Sequence, residues 1–231
     1  MVILSEKLVP YFLGVHHLTR DEAIDHNTAY STVFFGQTVP IIWDGTYFYI
    51  NKSSDHSFQR ASYSGQKHRH LLKFMSMCLP DGYCLDIRGP FYGNKNDASI
   101  SDYIVSTKKE LEGWCENDDV MICDRGFRDV VDVFSELGYE PKMPVYLKKG
   151  QNQHTTKEAN ESRLVTKVRW VVESFHARLK KFRLLSERID NQLVPKLEQC
   201  VRITAAALSK YRGAIVQNKN SEEDKKMFLV M

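Results

Sequence analysis

The chain has 231 residues, 42% hydrophobic and 26% charged, with a mean hydropathy of −0.40. This is ordinary soluble globular composition, and no run approaches the ~20 apolar residues of a membrane span, so disordered, collagen-like and membrane-spanning classes are excluded. The net charge of +3 hides an asymmetry: residues 1–141 hold 13 Lys/Arg against 20 Asp/Glu, whereas residues 142–188 hold 12 against 4.

Taken in chain order, Met1–Lys7 has a short apolar run with no basic region before it and is not read as a signal peptide. Residues 1–40 show one helix start, Thr19-Arg20-Asp21-Glu22, which predicts a helix near Arg20 to Asn27. Val39–Ile50 is β-branched and aromatic around Asp44-Gly45, and reads as a buried strand that continues or turns at the glycine. Ser53–Gln66 reads as a polar loop, His68–Leu79 as a second strand, Pro80-Asp81-Gly82 as a hairpin turn and Tyr83–Arg88 as a third strand. A loop is expected over Gly89–Asn96, then a helix from Asn96-Asp97 to about Trp114. Asp119–Asp124 is a short buried strand, a helix follows over about 128–137, and Met143–Leu147 is a further strand. A polar loop, a helix from Thr156 to about Leu185 and a last helix over about 191–212 complete the pattern. Strands followed by alternating helices and strands predict an α/β layer fold with a mixed sheet.

The five cysteines are an odd set with no Cys-x-x-Cys pair, which argues against a disulfide framework or a four-cysteine zinc site. The basic segment 142–188 is the footprint of a protein that meets a polyanion, although a solvated lysine-rich helix has the same composition. Two aspartates stand where open α/β sheets display functional groups. Asp124 closes a strand before a turn glycine, and Asp44 sits inside an apolar strand, where a carboxylate is costly without a partner. Each has a plain alternative: a turn or bulge for Asp44, a helix N-cap for Asp124.

On the long helix, Leu164, Val168, Val171, Phe175, Leu179 and Phe182 share one face. Glu173 points to the opposite side with Thr166, Trp170, Ala177 and Leu184, which predicts a second packing face. Arg169 lies four residues before Glu173, so a helical salt bridge is the plain reading there. Two strand aspartates and a helix glutamate that converge would supply the hard oxygen ligands of two-metal phosphodiester chemistry. His68-x-His70 and His16-His17 lack further nitrogen or sulfur ligands and are weak metal candidates.

Four segments, Trp43-Asp-Gly-Thr-Tyr47, Gly89-Pro-Phe-Tyr-Gly-Asn-Lys-Asn-Asp-Ala98, Cys123-Asp-Arg-Gly-Phe127 and Arg169-Trp-Val-Val-Glu-Ser-Phe-His-Ala-Arg-Leu-Lys180, resemble the PIF/Harbinger-like DDE superfamily endonucleases. These are transposase-derived nuclear proteins with an RNase H-like core, and the resemblance spans about residues 33–212. It implies an RNase H-like nuclease core over 39–212, an N-terminal extension over 1–38 and a flexible tail over 213–231. It also implies that Asp44, Asp124 and Glu173 are the catalytic, metal-binding acids, with Mg²⁺ or Mn²⁺ as cofactor. Asp97 matches a further recurrent aspartate and reads as a helix cap or loop-shaping residue. The implied activity is cleavage of DNA, with strand transfer in a complete transposase, in the nucleus and in some members beside a Myb-like DNA-binding partner. Lys148, Lys149, Arg163, Lys167, Arg169, Arg178, Lys180 and Lys181 are the candidates for DNA phosphate contact. One departure is that no clear helix pair precedes Asp44, where such transposases carry a helix-turn-helix; truncation or recognition by another protein would explain it. Two rivals remain at this stage: a domesticated, non-catalytic DNA- or protein-binding module, and an RNase H-type nuclease acting on RNA–DNA hybrids.

Overall fold

The computed structural model describes residues 1–107, 109–147, 150–151, 153–217 and 219. It opens with four short helices, α1 (Val2–Lys7), α2 (Val9–Phe12), α3 (Arg20–Ile24) and α4 (Ala29–Phe35). Only α3 follows from the start signal read above, and it carries the capping box that Thr19 and Glu22 predict. The residues of α4 are mostly β-branched or aromatic, yet Thr28 and Ser31 cap it reciprocally. Val9, Leu13, Val15, Ala23 and Phe35 are buried in the core, so α2, α3 and α4 are anchored to it, whereas α1 buries none of its residues.

Strand β1 (Ile41–Tyr49) runs unbroken through Asp44-Gly45. Helix α5 (His56–Ser62) replaces part of the expected loop, because Asp55 accepts a hydrogen bond from the Phe58 N–H at 2.7 Å and caps it. Strands β2 (Tyr63–Ser64), β3 (Arg69–Cys78) and β4 (Cys84–Tyr92) follow. The expected loop at Gly89 is in fact the outer half of β4. Gly89 has φ +151°, and a Cβ there would meet the Lys73 carbonyl at 2.8 Å, so a glycine that reads as loop punctuation marks an irregular strand pairing instead.

Helix α6 (Asp97–Thr107) is shorter than expected, with turns over residues 109–114. Strand β5 (Val120–Ile122) leads through a 3₁₀ turn, Arg125–Val130, into α7 (Val131–Glu136). The next strand is β6 (Glu140–Lys142), not Met143–Leu147. Pro144 cannot donate to a ladder, whereas Pro141 is tolerated because β6 lies at the sheet edge. Helix α8 (Thr156–Leu179) starts at a Thr155/Glu158 capping box and stops short of Leu185, which belongs to α9 (Arg183–Ser186). A 3₁₀ turn with Pro195 precedes α10 (Leu197–Arg212).

The six strands form one mixed sheet in the order β2-β3-β1-β5-β6, with β4 also paired to β3. β1–β3 and β3–β4 are antiparallel; β1–β5 and β5–β6 are parallel. Strand periodicity splits the core in two. Ile42, Phe48, Leu72, Phe74 and Ile122 pack with α8 and α10 on one face, while Ile41, Trp43, Met75, Met77 and Met121 pack with α6 and α7 on the other. Each fully buried aliphatic or aromatic side chain contributes about 1.5–3 kcal/mol. The result is a mixed α/β fold, a sheet flanked by helices, compatible with an RNase H-like domain.

Candidate active site

The parallel pairing of β1 with β5 sets Ile41 beside Met121 and Ile42 beside Ile122. β5 ends at Ile122 and Asp124 lies two residues beyond it, where its carboxylate is one of the charges that raise Asp44, so the two acids are neighbours. Period-two alternation turns both toward the face that Ile42 and Ile122 share, the face covered by α8.

Asp44 is 14% exposed at its side chain. Its Oδ1 accepts a hydrogen bond from Arg169 Nη1 at 2.9 Å, and its Oδ2 lies 3.6 Å from His176 Nδ1. The same guanidinium donates from Nη2 to Glu173 Oε1 at 3.0 Å, so one cation ties Asp44 to Glu173. Glu173 itself is 62% exposed. Trp170 and Leu184 are exposed too, so the second packing face expected of the long helix is an open surface. Asp124 is the N-cap of the following 3₁₀ turn, its Oδ1 accepting from the Gly126 N–H at 2.7 Å.

Burial pushes the Asp44 carboxyl up to about 7; Arg169 opposes the shift, and Asp124, Asp97 and Glu173 add to it. The site is thus a buried carboxylate amid other carboxylates, offset by one guanidinium. Asp97 reaches it from the far side of the sheet. It opens α6 over Gly45, where an added Cβ would lie 2.9 Å from its Oδ1, and it pairs with Lys73 Nζ at 3.0 Å. Asn96, whose Oδ1 accepts from the Ser99 N–H, is the capping side chain there rather than Asp97.

One residue of this cluster was not singled out from sequence. His176, buried on α8 three residues after Glu173, meets Ser76 Oγ through Nε2 at 2.9 Å. Ser76 stands opposite Asp44 in the β1–β3 register. Burial, then Lys180 and Arg169, lower the imidazole to about 3, so it is neutral at ordinary pH. The sequence clue is a histidine on the apolar face between Val172 and Leu179.

A cleft of about 1030 Å³ opens beside the cluster, lined among others by Asp124, Arg125, Arg163, Lys167, Arg169 and Trp170. Three of the expected phosphate contacts therefore converge on it. Lys180 lies elsewhere, over the Tyr47 ring at 4.4 Å. Arg178 donates to the Gly213 carbonyl and lines, with Lys181, a separate hollow beside Tyr211. Lys148 and Lys149 fall outside the described residues. Among the described residues no group of three or more His, Cys, Asp or Glu side chains is arranged to hold a metal ion as they stand. His68, with φ +52°, belongs to the turn before β3 and not to a two-histidine strand face.

The mixed sheet thus sets Asp44 on β1 and Asp124 just past β5 near a basic helix, beside a cationic cleft. Residues 43–208 match the family described as DDE superfamily endonuclease, and the chain belongs to that family. Comparison with curated proteins and with solved structures found no match to either.

Proposed function

We propose that this protein is a divalent-metal-dependent DNA endonuclease of the transposase type, with its nuclease core over residues 39–212 and Asp44, Asp124 and Glu173 as the metal-binding acids. What supports the reading is that Asp124, at the end of β5, and Glu173, on α8, both act electrostatically on the largely buried Asp44 carboxyl of β1. The donor set fits the group. All three acids are hard oxygen donors suited to Mg²⁺ or Mn²⁺; burial, and then the neighbouring carboxylates, raise Asp44, and a divalent cation would offset that cost.

Asp44, Asp124 and Glu173 would hold such ions, whose chemistry there would be activation of an attacking hydroxyl and neutralisation of charge at phosphorus and the leaving oxygen. The chain's own side chains do the rest. Arg169 holds Asp44 and Glu173 together in the protein without metal, and must release at least one of them before a cation can take both. The neutral His176, fixed by Ser76, keeps the far side of Asp44 occupied so that its carboxylate has one orientation. Arg163 and Lys167, exposed on α8 along the cleft, are placed to hold the phosphate backbone beside Asp124. Membership of the PIF/Harbinger-like branch, strand transfer, a nuclear location and a Myb-like recognition partner are part of the same reading, supported by the four motifs.

Supercoiled plasmid incubated with the protein and Mg²⁺ or Mn²⁺ should be nicked, and Asp124→Asn should lower the rate by on the order of 10³-fold, the several kcal/mol that a metal site supplies. Equal nicking by both proteins would remove this site from the chemistry. The Arg169 clamp on Asp44 and Glu173 favours a second reading, a non-catalytic DNA-binding module. That reading wins if DNA is bound but stays intact with either ion. Faster cleavage of an RNA–DNA hybrid than of duplex DNA would redirect the assignment to an RNase H-type nuclease.

A further inference from the structure

Outside the cleft, the edge of the sheet beyond Asp44 carries a second cationic surface. Tyr47 and Tyr49 meet edge to face with ring centroids 5.3 Å apart on β1. Lys67 lies over the Tyr47 ring at 5.3 Å, Lys180 over the same ring at 4.4 Å, and Arg69 over Tyr49 at 5.2 Å. Lys67 and Arg69 are exposed at the tip and base of the β2–β3 hairpin, while Lys180 is half-buried at the C-terminal end of α8. Two separate elements, the hairpin and the end of α8, thus deliver three cations to two neighbouring rings.

Two features set this ladder apart from ordinary surface lysines. No carboxylate lies within ion-pair distance of Lys67, Arg69 or Lys180 among the described residues, although the part of the chain before residue 142 is acidic overall. Lys67 and Lys180 also share one ring and repel each other, and this repulsion adds to burial in lowering the Lys180 ammonium. Like charges gathered with no ion-paired carboxylate, Asp44 acting on Lys180 only from beyond that distance, and held on rings that restrict their motion, are pre-ordered for a repeating anion; little further side-chain entropy is lost when phosphates arrive. Tyr47 is three residues along β1 from Asp44 and so on the other face of the strand; Lys180, which lies over the Tyr47 ring and is within electrostatic reach of Asp44, links the ladder to the acidic cluster.

We propose that the Tyr47–Tyr49 ladder, with Lys67, Arg69 and Lys180, is a track for the phosphate backbone of duplex DNA on the side of the acidic site away from the Arg163–Lys167 cleft. The inference rests on the DNA-endonuclease reading and adds where the second arm of the substrate lies. Because the cations cover the tyrosine faces, the track grips backbone and reads no bases, so its contribution is independent of sequence.

The test is a salt titration of the full chain binding a fluorescein-labelled duplex, followed by anisotropy without divalent ions, with nicking measured in parallel. In Lys67→Gln/Arg69→Gln the slope of log affinity against log salt should flatten by about 2, roughly one per lost phosphate contact, with affinity down on the order of tenfold at low salt. Arg183→Gln/Lys196→Gln, which removes equal charge from exposed sites elsewhere, should leave the slope unchanged. Tyr47→Phe should bind as wild type, whereas Tyr47→Leu should bind several-fold more weakly because its cations lose their platform. A double variant with wild-type slope and affinity overturns the track and leaves the nuclease assignment intact. A wild-type protein that binds but never nicks overturns the nuclease assignment while the slopes still decide the track. A wild-type protein that binds no duplex overturns both.

Discussion

Asp119 and Asp44 are both buried carboxylates on the same sheet, and their surroundings are opposite. Asp119 accepts from Arg20 Nη1 and Nη2 at 2.5 and 3.0 Å, from the Val39 N–H at 3.0 Å and from the Glu116 N–H at 2.9 Å. Asp81 is treated alike. Burial pushes its carboxyl up, but His26, Lys219 and the Tyr83 N–H hold it below the usual carboxylate range. Asp44 has one full hydrogen bond, from a guanidinium it shares with Glu173, and its other charged neighbours include three carboxylates. A fold that needs a buried acid for its own stability surrounds it with donors. One that crowds it with acids keeps it for something else, which in the proposed function is a divalent cation.

The largest expected effect belongs to the first kind. Asp119→Ala leaves the buried Val39 N–H and the Glu116 N–H without their acceptor and Arg20 with only the exposed Glu116, and should cost about 3–5 kcal/mol in urea unfolding, the range for breaking a buried ion pair from one side. A loss under about 1 kcal/mol would erase the contrast. Asp44→Asn should move the other way. Its carboxyl is raised from 3.8 to about 7, so the folded state keeps a proton that the unfolded state releases. Stability contributed by this group therefore falls as pH rises from about 4 to about 7, and above 7 the full cost is present. At pH 8 without metal, Asp44→Asn should be more stable than wild type by roughly 2–4 kcal/mol, and the advantage should vanish near pH 4. Adding Mn²⁺ should raise the wild-type melting temperature and leave the variant unmoved. A variant that is less stable at pH 8 would place Asp44 with Asp119.

A smaller effect comes from the far face of the same strand. Gly45→Ala drives a methyl to 2.9 Å from the Asp97 Oδ1, whose Lys73 pair leaves it little freedom. The expected cost is about 1–3 kcal/mol, the usual penalty for overpacking. In Gly45→Ala/Asp97→Ala the two changes should be less than additive, because the second removes the obstacle that the first meets. Strict additivity would show that Asp97 does not rest on Gly45.

What could be read from the sequence, and what could not, follows the range of the forces involved. The central strands and α8 were legible because their apolar periodicity and caps are local; the Thr155-x-x-Glu158 box alone predicts where α8 starts. The helices α1, α2, α4 and α5 were not, since they are one to two turns long and hold their shape by tertiary contact and single caps. The strand through Gly89 was misjudged because its irregular pairing depends on the Lys73 carbonyl, sixteen residues away in the chain. In the site, Asp44 and Asp124 stood out as acids in apolar strands. The links that join the cluster, Arg169 to Asp44 and His176 to Ser76, span 125 and 100 residues and leave no local pattern.

Glu173→Gln tests the comparison at its most delicate point. The Glu173 carboxylate is largely exposed, and among the described residues its one ion pair is the helical contact with Arg169, four residues away. Such pairs stabilise by only a few tenths of a kcal/mol, so the metal-free variant should unfold within about 0.5 kcal/mol of wild type. Arg169 would keep its hydrogen bond to Asp44, and nothing in the packing of α8 would change. Plasmid nicking should nevertheless fall by on the order of 10³-fold, because a neutral amide is a poor ligand for a hard divalent cation. A variant that nicks at the wild-type rate would leave Glu173 as a surface salt bridge and reduce the acid set to the two strand aspartates. One that loses both activity and several kcal/mol of stability would show that Glu173 has a structural role its exposure does not reveal.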